Sequence, residues 1–222
     1  MKRIVEPEIL DSLPHDHPDA LESRGDIRFL NSLMGSFAWV RQQLSRHADP
    51  GERIAELGAG DAGLIRYIAG RHPALANQWT GLDLAPPPPD GLPAGARWVQ
   101  GDFFAQQEAG RVLQQSQVIV ANLILHHFQD DQLVALSRQF KSARVLIISE
   151  PARHTIHHWK GRLVDAILGF NYVTMYDMGC SIRAGFRTGE LPGLLGLDPT
   201  AWDIWESHSF FGACRLLAVR RG

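Results

Sequence analysis

Ile54-Ala55-Glu56-Leu57-Gly58-Ala59-Gly60-Asp61-Ala62-Gly63 decides the fold. An apolar strand runs into a glycine-rich turn that opens a helix, the arrangement in which a nucleotide is cradled. Gly58 and Gly60 permit positive φ and let a ligand approach bare backbone, and the helix that follows offers unpaired N–H groups. Read literally, Gly58 to Gly63 also satisfies the dinucleotide pattern G-x-G-x-x-G. The glycines alone therefore leave a nicotinamide cofactor and another adenosyl ligand both open.

The acids around this turn divide the two. Glu56, two residues before the first glycine, stands at the carboxyl end of the expected first strand. A carboxylate there repels a pyrophosphate and suits a ligand whose far end is cationic, since unlike charges a few ångströms apart attract by about 4 kcal/mol at an intermediate dielectric. The ammonium and sulfonium of S-adenosylmethionine meet that requirement and NAD does not. Trp79-Thr80-Gly81-Leu82-Asp83 is a second apolar run ending in an acid, at roughly the separation from the turn at which an acid reaches ribose hydroxyls. Ala96 to Phe103 repeats the design, with Asp102 able to accept from an adenine amino group and Phe103 able to pack on the ring.

On these residues the chain resembles the class I S-adenosylmethionine-dependent methyltransferases. Glu56-Leu57-Gly58-Ala59-Gly60 corresponds to the first motif, Asp83 to the acid that follows it, and Gly101-Asp102-Phe103 to the adenine-side motif. The likeness covers residues 50 to 150, and Ala62 departs from it where many members carry a third glycine. It implies S-adenosyl-L-methionine as cofactor, contacted by Glu56, Gly58, Ala59, Gly60, Asp83, Leu84, Asp102, Phe103 and Asn122. It also implies a Rossmann-like, seven-stranded, mostly parallel α/β sheet with helices on both faces, a C-terminal antiparallel hairpin and an N-terminal helical lid. More loosely, Asp26 to Trp39 and Ser181 to Arg187 look like small-molecule methyltransferases that accompany polyketide or lipid biosynthesis.

At 222 residues the chain fits one globular unit, expected as an arm and lid over 1–47 and a methyltransferase domain over 48–222. Its net charge of −2, with both signs dispersed, gives no electrostatic case for nucleic acid. Two cysteines, Cys180 and Cys214, form neither a metal spacing nor a disulfide framework. The first residues carry no signal-peptide core, and no apolar run approaches the roughly 18 residues of a membrane span. A cytoplasmic enzyme is expected.

Residues 1 to about 22, rich in Pro, Asp and His, read as an irregular or loosely docked arm. Ile27, Leu30, Met34, Phe37, Val40 and Leu44 then recur at three- and four-residue steps, predicting a helix or helix pair over 24–47 broken near Gly35. Its apolar stripe either packs on the flank of the sheet or covers the ligands as a lid. Strands are expected near 53–57, 79–83, 96–100, 117–122 and 144–149, with helices near 62–70, 104–115, 130–141 and 154–169. The prolines at 86–89 form a stiff spacer. A short helix near 188–195 and an antiparallel pair near 202–208 and 211–219 complete the sheet.

Ligands of open α/β sheets lie beyond the carboxyl ends of the strands. The fourth strand ends Asn122-Leu123-Ile124-Leu125-His126-His127, which brings Asn122 and two histidines beside a bound cofactor. Histidine titrates near neutrality and can take a proton from a hydroxyl as a methyl group transfers. His127, ahead of His126, is the candidate base, and a structural role in the loop is the alternative. Glu150 ends the fifth strand, where it either caps the next helix or faces the acceptor. His154, His157 and His158 share one expected helix but lack an acidic or cysteine companion, and no metal is expected. Asn171 to Met178 is rich in side chains suited to an apolar acceptor, with Arg183 or Arg187 available to an anionic or phenolic oxygen. The expected function is methyl transfer from S-adenosylmethionine to a hydroxyl of a small, partly apolar acceptor. An NAD-dependent oxidoreductase and a non-catalytic cofactor-binding partner protein are the rivals.

Overall fold

Four apolar runs in this chain are buried along nearly their whole length. They form β1 (Ile54–Leu57), β2 (Trp79–Asp83), β4 (Val118–Asn122) and β5 (Val145–Pro151), with β3 (Arg97–Gln100) as a more exposed neighbour of β2. Strands buried on both faces read as continuous rather than alternating apolar runs, the signature of a parallel sheet covered on each side. The computed structural model describes residues 2–14, 16–105, 108–157, 166 and 169–222.

The sheet has seven strands in the order β3-β2-β1-β4-β5-β7-β6, where β6 is Trp202–His208 and β7 is Ala213–Arg220. The first five run parallel, and β7 is inserted antiparallel between β5 and β6. Residue parity sorts the side chains. Ala55, Leu57, Ile119, Ala121, Leu146 and Ile148 enter one core, whereas Ile54, Val118, Val120, Val145 and Ile147 enter the other.

Helices cover both faces. On the second core lie α3 (Ser36–His47), α4 (Gly63–Ala69) and the short α5 (Pro73–Ala76), through Val40, Leu44, Leu64, Ile65, Ile68 and Ala76. On the first lie α6 (Glu108–Gln115) and α7 (Asp130–Ser137), through Ala109, Leu113, Leu133 and Leu136. The expected helix near 154–169 falls largely on residues 158–165 and 167–168, outside the described residues, as do 106 and 107 of the one expected near 104–115.

The N-terminal region departs from expectation. A short helix, α1 (Ile9–Ser12), precedes α2 (Pro18–Met34), which begins six residues earlier than the periodicity predicted. Pro18 occupies the first turn, where a missing N–H costs nothing, and the His17 side chain accepts from Asp19 N–H at 3.2 Å. Gly35, at φ 67°, ends α2 and starts α3, matching the predicted break.

A further helix that was not expected is α8 (Tyr172–Ala184), which begins within the residues read from the sequence only as suited to an apolar acceptor. It contacts α1 and α2 and is followed by α9 (Glu190–Leu194). Nor is the arm loosely docked. Asp177 of α8 accepts the backbone N–H groups of Ile9 and Leu10 at 2.7 and 3.0 Å. Arg3 donates to the carbonyls of Ala184 and Phe128 at 2.8 and 2.6 Å and to Asp130 at 2.7 Å, with its guanidinium 4.7 Å from the Phe186 ring centre.

Candidate active site

The chain turns from β1 toward β2 and β3 on one side and toward β4 and β5 on the other, so the crevice beyond the carboxyl ends of β1 and β4 is the switch point of the sheet. A cavity of about 1120 Å³ opens there. Its floor comes from the strand ends: Gly58 and Gly60, Asp83 and Leu84, Asp102 and Phe103, and then Leu123, Ile124, His126 and His127. Leu21, Ile27, Leu30 and Met34 of α2 roof it, and Glu8, Leu10 and Asp11 of the arm close one side.

The turn after β1 is built on positive φ, 60° at Gly58 and 56° at Gly60. A Cβ on Gly58 would also meet the Ile124 side chain at 2.5 Å, so glycine is required there twice over. Gly60 N–H donates to Asp83 Oδ2 and Ala85 N–H to Asp83 Oδ1, both at 2.8 Å. Asp83 thus holds the turn and still offers lone pairs to the cavity. Leu84, next to Asp83, is 71% exposed. Asp61 pairs with Arg28 of α2, tying the roof to the turn.

Glu56 lies beneath the turn, 3% exposed, and accepts from the Trp79 indole N–H at 2.9 Å. Burial raises its pKa, the Trp79 hydrogen bond lowers it, and Asp83 and Asp61 raise it further, to about 8. It is absent from the cavity wall, so the acids near the strand ends that face a ligand are Asp61, Asp83 and Asp102. Ala59 is also buried away from the wall, at 5% exposure. Asp102 accepts from Phe104 N–H at 2.8 Å, and Phe103 packs edge-on to Phe128 with ring centres 5.7 Å apart. Asn122 donates to Asn31 Oδ1 of α2 at 3.0 Å, while its own buried Oδ1 has no partner among the described residues.

The histidine pair sits on a 3₁₀ turn, Leu125–His127, directly after β4. Glu150, fully buried, accepts backbone N–H groups from Ile124, Leu125 and His126 at 3.0, 2.9 and 3.3 Å. Its carboxylate therefore caps this preceding turn rather than the helix expected after β5. The same carboxylate lies 2.8 Å from His126 Nδ1. His126 is buried, which alone would lower its pKa, but Glu150 and Glu8 outweigh burial and hold it at about 9. The His127 side chain is 23% exposed, with Nδ1 3.3 Å from Asp11 and Nε2 3.9 Å from Glu8.

Glu8, Asp11 and Asp177 went unassigned in the sequence, where nothing local ties them to the histidines. Arg183 pairs with Glu6, and neither it nor Arg187 lines the cavity. Met178 does, whereas Tyr176 is 51% exposed outside it. His154 and His157 have ring centres 6.1 Å apart, and His158 and His15 lie outside the described residues.

Solved structures share this fold. The plantazolicin methyltransferase BamL, in complex with a triazolic desmethylPZN analog and SAH, matches with a TM-score of 0.67 at 10% identity, over 96% of this chain and 93% of that one. The plantazolicin methyltransferase BpumL, in complex with SAH, matches at 0.64 and 12% identity, over 93% and 92%. Human N-acetylserotonin methyltransferase, in complex with SAM, matches at 0.54 and 15% identity, over 96% of this chain but 61% of its own. The common element is the Rossmann-like, seven-stranded methyltransferase sheet. No family model matches the sequence, and no curated protein matches it.

Proposed function

We propose that this chain is a methyltransferase that draws its methyl group from S-adenosylmethionine and transfers it to a hydroxyl of a small, partly apolar acceptor. The observation that carries the reading is the Asp83 carboxylate, clamped by Gly60 N–H at the mouth of a large cavity at the switch point of the sheet. Several features of that cavity fit the cofactor. Gly60 leaves its Cβ direction open to 4.0 Å, and exposed Leu84 offers an apolar face to a ring. Asp83 and Asp102 offer acceptors for hydroxyl and amino groups. A cavity of about 1120 Å³ exceeds the roughly 300–1,000 Å³ of single-ligand sites, leaving room for an acceptor as well. The shared fold with proteins crystallised with SAM or SAH supports the same reading.

When bound, the cofactor supplies an electrophilic methyl group on a sulfonium. The chain supplies position. Asp83 accepts from the ribose, Asp102 from the adenine edge, and Leu84 and Phe103 flank the ring. The apolar side chains of α2 exclude water and hold the acceptor, so much of the acceleration comes from alignment. His127, on the cavity wall, takes the hydroxyl proton, while charged His126, locked by Glu150, orients the turn that carries it.

Calorimetry with S-adenosylhomocysteine and with NADH tests the cofactor, and labelled S-adenosylmethionine with a panel of phenols and fatty alcohols tests the acceptor. Micromolar S-adenosylhomocysteine binding without NADH binding is expected. The reverse result would establish the oxidoreductase reading instead, and label on nitrogen or carbon would overturn the choice of hydroxyl.

A further inference from the structure

We propose that Glu8, His126 and His127 form a binding site for one divalent transition-metal ion of the zinc type. Among the described residues these three bring ligand atoms within 4.8 Å of one another. Both histidines present the same face to the third group. His126 Nε2 lies 3.5 Å from Glu8 Oε1, and His127 Nε2 lies 3.9 Å from Glu8 Oε2. Such separations are long for hydrogen bonds, but they approach the roughly 3.3–3.5 Å between ligands that each sit about 2.0–2.2 Å from a tetrahedral centre.

The groups behind the ligands strengthen the assignment. His126 Nδ1 is held by Glu150 at 2.8 Å and His127 Nδ1 faces Asp11 at 3.3 Å, so an acid outside the trio engages the far nitrogen of each ring. Carboxylate–imidazole–metal relays take this form, fixing the tautomer that frees Nε2 for a cation. Ser181 Oγ donates to Glu8 and steadies the third ligand. Two imidazoles and one carboxylate, with the ion displacing the proton that His126 otherwise carries on Nε2, suit zinc and its first-row neighbours better than magnesium or calcium, which take oxygen ligands. All three ligand residues line the cavity, so a fourth position would open toward its contents. A cation there would hold an acceptor oxygen and take over from His127 the weakening of its O–H bond. That consequence rests on the methyltransferase reading, whereas cation binding does not.

The test uses the full chain, stripped with a chelator and titrated with Zn²⁺ by calorimetry and with Co²⁺ by its visible absorption. One ion per chain with micromolar or tighter affinity is expected, together with the intense visible bands of four- or five-coordinate Co²⁺. Glu8→Gln and His127→Ala should each weaken binding at least 10-fold, and Glu150→Gln by about 10- to 100-fold. His154→Ala, outside the trio, should change nothing. In the Co²⁺ protein, paramagnetically shifted N–H signals from both imidazoles should appear whether or not the variants fold. Affinity no tighter than millimolar, or affinity that survives Glu8→Gln and His127→Ala but falls in His154→Ala, overturns the site. S-adenosylhomocysteine titrated into the same preparation separates the two ideas: its binding without the cation removes only the metal site, and the cation without it removes only the methyltransferase.

Discussion

Glu56 and Asp83 lie near the ends of neighbouring parallel strands, two register steps apart, and meet opposite surroundings. Asp83 accepts two backbone N–H groups at the edge of a cavity, whereas Glu56 accepts one indole N–H and is buried. Burial lifts the Glu56 pKa to about 8, so between its ordinary value of 4.5 and 8 the unfolded chain gives up this proton while the folded one keeps it. Stability from this group is thus fully present below pH 4.5, falls as pH rises, and is lost by about pH 8. Glu56→Gln keeps an acceptor for Trp79 and removes the titration. The variant should match the parent near pH 4.5 and exceed it by about 3 kcal/mol at pH 7, read as a difference in Tm that widens with pH. A constant difference would show that Glu56 is ionised in the fold. Asp83→Ala should weaken S-adenosylhomocysteine binding roughly 10- to 100-fold by calorimetry, by loss of a charge-assisted hydrogen bond of about 1.5–3 kcal/mol. Because Asp83 also braces Gly60, a small fall in Tm should accompany it.

Among elements, the arm and α8 act as one piece. Ile9 and Asp177 are 168 positions apart, yet Asp177 supplies both acceptors for the first turn of α1. Asp177→Asn leaves a single acceptor facing two N–H donors, at a local cost of about 1–3 kcal/mol. The arm should open, so limited proteolysis should cut within residues 2–13 several-fold faster while the global Tm barely moves. The same residue explains why α8 was hidden in the sequence. Its buried face runs Val173, Asp177, Cys180, Ala184, and an acid in that row breaks the apolar period by which helices are recognised. By contrast β1, β2, β4 and β5 were legible, because burial on both faces favours nearly continuous apolar runs, and each of these ends at or beside a glycine, an acid or Asn122. The strand-end members of the site could be read for the same reason. Glu8 and Asp11 could not, since a partnership spanning more than a hundred residues leaves no local trace.

At the scale of the molecule, the pattern of alternating strands and helices was enough to predict a parallel sheet closed by an antiparallel pair, and the observed strand order has that form. What the pattern left out is how much depends on β7. This strand pairs with β5 over seven residues and with β6 over seven more. Its Arg215 donates to the carbonyl of Met34 at 2.7 Å, securing the junction of α2 and α3. Deleting residues 213–222 should therefore yield insoluble chain rather than a shortened folded protein, measurable as the soluble fraction after expression, because the fully buried edge of β5 would be bare.

The position of β7 also sets a timetable. Chains emerge from the ribosome amino end first, and the glycine turn after β1 and the acid that ends β2 are made early. The strand that seals their sheet is encoded after all the other strands. Until it arrives, β5 offers an unpaired edge to any neighbouring nascent chain and β6 has no place to dock. A pause in translation shortly before Ala213 would therefore be the most hazardous moment in the life of this protein, and a holdase that masks the β5 edge would help it more than a catalyst of any later folding step.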